Sequence, residues 1–206
     1  MLLAALLTVA VGETPIPPAV MATRPTLPMA VVTGFMDERF SERLDALLAS
    51  NPQVTYVQIE SLGGRSAQAY KAAEVLNQRG IELRVLGRCA SACALLWAGT
   101  RNRTLVEGAR IGLHASAVLK EPPLLVRGVV RRHNVQRKTH VLEQAGFPPA
   151  TISRALSTPH NSMLWLTSSE LGSLGVRFRL VPRGYGKPGR SAPNNSSKPT
   201  PLRGAA

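Results

Sequence analysis

From Ile81 to Gly99 the chain reads IELRVLGRCASACALLWAG, an apolar strand-like stretch that passes into an apolar helix-like stretch with no spacer. A strand that turns directly into a helix demands a tight corner, and Gly87, Ala90, Ser91 and Ala92 supply the small residues it needs. Ser91 falls at the corner with Cys89 and Cys93 on either side. A hydroxyl placed there stands beside the first free N–H groups of a helix, whose partial positive charge favours a developing oxyanion. A plainer reading also stands, in which Ser91 is only a small residue at a turn.

The rest of the pattern surrounds this corner with alternating strands and helices. Met29 to Thr33 is a first strand ending at Gly34, and Asp37 offers an N-cap for a helix through Ala49 with Phe40, Leu44, Leu47 and Leu48 on one face. Val54 to Ile59 alternates as a second strand. Ala67 to Arg79 is a helix stopped by Gly80, and Glu82 to Leu86 is a third strand leading to the serine turn. Ala92 to Ala98 is a buried helix closed by Gly99. Such alternation predicts an α/β fold with a largely parallel sheet. Two short strands come next, at Thr104 to Val106 and Arg110 to Leu113, and then a helical C-terminal region. Its elements are a long helix from Leu124 to Gln144, a short one from Pro149 to Leu156, and one capped by Thr167 through Leu171. Val176 to Val181 is the last strand. The domain is therefore placed at 29–182, preceded by a proline-rich linker at 13–28 and trailed by a disordered basic tail at 183–206.

The N-terminal run at 1–12, MLLAALLTVAVG, is apolar but at ~18 Å too short for a ~30 Å hydrocarbon core. It has the length of a signal-peptide apolar region, or serves as an anchor, which predicts an exported protein, periplasmic or membrane-associated. In an oxidising compartment Cys89 and Cys93 are able to form a short-range disulfide; otherwise they are small buried residues.

Of the 206 residues, 44% are hydrophobic and only 4% aromatic, so one aliphatic core is expected. The net charge of +13 is uneven: Arg127, Arg131, Arg132, Arg137 and Lys138 crowd one helical segment. This favours an anionic membrane surface or a simply solvated basic face. The scarcity of aromatics and the lack of a recognition motif argue against specific nucleic-acid binding. Two cysteines without a nearby histidine do not make a zinc set, and His133 and His140 alone do not make a metal site, so no metal or cofactor is expected.

Two further corners bear on Ser91. His114 ends the strand Arg110-Ile111-Gly112-Leu113, and a histidine titrates in the range needed to take and return a serine proton. Glu60-Ser61-Leu62-Gly63-Gly64 ends another strand with a double glycine that leaves backbone N–H groups uncovered. The three read as nucleophile, base and oxyanion hole, or as a structural histidine and an ordinary turn.

In order and spacing these pieces resemble the Clp-protease proteolytic-subunit and crotonase superfamily, closest to a branch of predicted periplasmic proteins with a Cys-x-Ser-x-Cys element. The likeness runs from about Ala30 to Val181. Val31-Val32-Thr33-Gly34 looks like the opening strand, Ile59 to Gly64 like the Ser-Pro-Gly-Gly loop, and Cys89 to Cys93 like the nucleophile turn. Ile111-Gly112-Leu113-His114 looks like the strand with the catalytic histidine, and Thr167 to Val176 like the closing helix-to-strand passage. The resemblance implies a spiral of ββα units and a serine hydrolase, peptidase-like, that acts on a peptide or acyl substrate through an acyl-enzyme. Carried over, Ser91 is the nucleophile, His114 the general base, and the backbone N–H groups of Gly63 and Ala92 the oxyanion hole. It also implies a homo-oligomer. A non-catalytic member of the fold, binding or assembling at the cell envelope, is the alternative.

The third triad member departs from the family. The peptidases carry an aspartate shortly before the segment matching Trp165-Leu166-Thr167, whereas the two aspartates here, Asp37 and Asp45, both precede the nucleophile. Asn161 and Ser162, beside His160, are the nearest candidates, and Met163 holds the closest matching position. The carboxylates after Ser91 are Glu107, Glu121, Glu143 and Glu170, and each would serve only if folding carried it to His114.

Overall fold

The computed structural model describes residues 16–116 and 123–184. The expected leader at 1–12 and nearly all of the expected tail lie outside these. The described chain is α/β, with eight strands in one mixed sheet and six helices.

β1 (Val20–Thr23) pairs antiparallel with β2 (Met29–Thr33), which runs parallel to β3 (Tyr56–Ser61), itself parallel to β4 (Glu82–Ala90). The first half of β4 is parallel to β5 (Arg103–Val106), and β5 to β8 (Arg179–Val181). The second half of β4 changes neighbours. Arg88 to Ala90 pair with β6 (Arg110–Leu113), and β6 pairs antiparallel with β7 (Leu164–Thr167).

The change of neighbour has a local cause. Opposite β3 the register moves from Ile59↔Val85 to Ser61↔Cys89, so β4 carries extra residues at Leu86 to Arg88. A bulge bends a strand and re-aims the residues beyond it. Gly87 lies within it, and a Cβ there would stand 2.8 Å from the Glu60 carboxylate.

The helices obey their apolar spacing. In α1 (Phe40–Ala49), Phe40, Leu44 and Leu48 are buried at four-residue intervals. Asp37 is not its N-cap as expected. Its side chain accepts the Arg39 N–H at 3.1 Å in the turn before the helix, and Arg39 takes the cap position. α2 (Ser66–Gln78) buries Ala69, Ala72, Ala73 and Leu76 and stops before Gly80 at φ +67°. α3 (Ala92–Gly99) is apolar all round and accordingly lies in the core, with Trp97 fully buried. α4 (Leu124–Ala145) ends at Gly146 in the left-handed region, and α5 (Pro149–Ser157) comes after it. α6 (Ser168–Ser173) opens on a capping box of Thr167 and Glu170.

Several boundaries differ from expectation, and β4 runs on to Ala90 rather than ending at Leu86. The proline-rich stretch is not a linker throughout, because Val20–Thr23 lines the edge of β2 and Ala19 is buried. Leu164–Thr167 is a strand, and the last strand begins only at Arg179, since Val176 and Arg177 turn back to bond Leu171 and Ala145.

Candidate active site

Ser91 occupies the corner where β4 becomes α3, with φ 54° and ψ −119°. Among the described residues it is the only non-glycine with positive φ. A non-glycine backbone held there costs on the order of 1–3 kcal/mol and persists only where its surroundings impose it. Those surroundings are identifiable. The Ser91 N–H donates to the Gly112 carbonyl of β6 at 2.9 Å, and its own carbonyl accepts the Leu95 N–H at 3.2 Å. Cys89 and Cys93, both fully buried, are joined by a disulfide whose Cα atoms are 5.1 Å apart, so the corner is tied on both sides of the serine.

Above the corner, α3 has no side-chain cap, and the Ala92 N–H makes no hydrogen bond among the described residues. The double glycine lies against the same corner. A Cβ at Gly63 would stand 2.7 Å from Ser91 Cβ and 3.0 Å from Ala92 N, and Gly63 has φ +111°. Only glycine fits.

The oxyanion expectation at Gly63 needs correction. Its N–H donates to Ser61 Oγ at 3.0 Å, and that hydroxyl donates in turn to the Gly34 carbonyl at 2.5 Å. The uncommitted amide of the loop is Gly64 N–H, which has no hydrogen-bond partner among the described residues. The loop is held in place by Met36, whose N–H donates to Gly63 O at 2.9 Å and whose carbonyl accepts the Arg65 N–H at 2.8 Å.

His114 comes directly after the last residue of β6, which lies parallel to the end of β4, so it emerges at the same end of the strands as Ser91. Within the described structure no hydrogen bond joins its ring to the Ser91 hydroxyl, and its Nδ1 is buried without a partner. Its pKa is pushed below the ordinary 6.5, first by burial, then by the Lys138 ammonium, with the Ala115 backbone opposing and His160 adding a little. Burial and the nearby ammonium thus favour the neutral ring, the form able to accept a proton.

The β6–β7 ladder ends with Leu113 opposite Leu164, and Met163 Sδ packs against Gly112, two residues before His114. Asn161 and Ser162 are in a turn, where Ser162 N–H donates to Pro159 O at 2.9 Å, and neither bonds His114. Glu107, Glu143 and Glu170 make no ion pair with the ring, Glu170 being used in the α6 cap. Glu121 lies outside the described residues.

Sequence reasoning does not single out Lys138. By composition it is one more charge on a basic helix, yet its side chain is only 4% exposed and its Nζ donates to the His114 carbonyl. Burial lowers its pKa to about 8. The signal is present in the spacing, since Lys138, Leu142 and Ala145 share the buried stripe of α4.

A cleft of about 760 Å³ opens at the opposite ends of the strands, lined by Glu82, Arg103 and Arg179 among others, away from Ser91. Its arginines are engaged: Arg103 donates to Thr100 O at 2.8 Å and Arg179 pairs with Glu82. No protein-family model matches the chain, and no curated protein matches it.

Proposed function

We propose that the chain is an exported serine hydrolase with a spiral fold of the Clp-protease and crotonase kind, acting on a peptide or acyl substrate. The observation that carries this reading is Ser91, held in a glycine-like backbone conformation at an uncapped helix start. Strained corners of this form expose a nucleophile and aim it at a substrate.

In this reading the Ser91 Oγ attacks the substrate carbonyl carbon while its proton passes to neutral His114. Nε2 is the receiving nitrogen, because Nδ1 is buried. The carbonyl oxygen takes the negative charge between Gly64 N–H and Ala92 N–H. As the bond to the leaving group breaks, His114 returns the proton to it, leaving an acyl-serine. Water then repeats the sequence and releases the acid and free Ser91. With no carboxylate bonded to the His114 ring among the described residues, the site works as a dyad, whose imidazolium lacks a compensating charge. The Cys89–Cys93 bridge supports an oxidising compartment.

A non-catalytic binding role is the second reading, favoured by the unpartnered His114 Nδ1. A fluorophosphonate probe separates the two. Labelling of the folded protein that disappears in Ser91→Ala is the expected result, and a folded protein that never reacts overturns the hydrolase.

A further inference from the structure

We propose that the N-terminal half of α4 is a docking arm for an anionic lipid surface. Residues 125–137 are exposed without interruption, a length of about 20 Å, before Lys138 enters the core. At 100° per residue Leu125, Val126, Val129 and Val130 form one stripe, and Leu125 and Val129 are 96% and 65% exposed. The stripe points away from the direction taken by Lys138, Leu142 and Ala145, so the helix changes its apolar face midway. One face serves the body of the protein. The other has nothing to cover it within the described chain.

Charge decides the occupant. No acidic residue occurs in α4 before Glu143, while Arg132 borders the stripe and Arg131 lies on the opposite, polar side of the helix. Most of the described acidic side chains that a second copy would offer are already engaged. Asp37, Glu38, Glu42, Asp45, Glu74 and Glu82 are already paired with arginines of their own chain. Arg131 and Arg132 make no ion pair among the described residues. A helix with an apolar stripe and arginines around it suits the boundary between anionic headgroups and acyl chains.

The test uses the full chain and sedimentation with vesicles of phosphatidylglycerol and phosphatidylcholine. Wild type is expected to bind the mixed vesicles, to lose binding steeply as salt rises, and to bind pure phosphatidylcholine far less. Arg131→Ala with Arg132→Ala should weaken binding by roughly fivefold for each arginine removed. Leu125→Gln with Val129→Gln should weaken it comparably, and circular dichroism should show both variants folded. Ser91→Ala should bind as wild type. Equal binding to neutral vesicles, or variants that bind like wild type, overturns the proposal. So does a concentration-dependent oligomer that the Leu125 and Val129 replacements dissolve, which would assign the stripe to a second copy.

Discussion

At Ser91 the backbone has the conformation of a glycine and the side chain of a nucleophile. Replacement by glycine removes the strain, whereas replacement by alanine keeps it. Ser91→Gly is therefore expected to be more stable than Ser91→Ala by about 1 kcal/mol in urea unfolding, with neither variant labelled by a fluorophosphonate. Equal stabilities would show that the corner is relaxed. His114 gives a second test at this scale. Because burial and the Lys138 ammonium favour its neutral form, the labelling rate should fall on acidification with a midpoint below 6.5. Lys138→Met removes the ammonium, and the midpoint should then move upward. The serine corner is legible from small residues between two apolar stretches. The choice between Gly63 and Gly64 as open amide is not, because it depends on where Ser61 turns its hydroxyl.

Among the elements, the passage from β4 to α3 depends on a bridge that encloses only Ser91 and its two neighbours. Closing so short a loop removes little chain entropy, so replacing both cysteines by serine should cost about 2 kcal/mol, measured by denaturant unfolding. The larger effect is expected at Ser91, whose labelling should fall with the corner untied. α4 offers a contrasting case. Gly128 sits in its exposed half with open space around it, and Gly128→Ala should raise helicity, stabilising that half by up to about 1 kcal/mol. Long periodic elements such as α1 and α2 are readable from their apolar spacing. β7 is not, because four residues carry too little alternation to distinguish a strand from a loop. Val20–Thr23 is hidden by the prolines around it, which bracket an edge strand as readily as they fill a linker.

For the molecule as a whole, one buried cation sets a pH dependence. Lys138 has its pKa lowered from 10.5 to about 8, so below pH 8 the folded state carries a charge that costs more there than in the unfolded chain. Between 8 and 10.5 the unfolded chain keeps that proton while the folded chain releases it, and stability should rise with pH. The size is ~1.4 kcal/mol for each unit of depression. Urea midpoints from about pH 8 to about pH 10 should climb for wild type and stay level for Lys138→Met. The sheet has its own signature. β4 is joined to β3 along one side and, in succession, to β5 and β6 along the other. Its amides are shared between the two sides, so freeing all of them requires both seams to part. In deuterated solvent, the segment 83–90 should be among the last to exchange, at a rate that reports the unfolding of the entire protein.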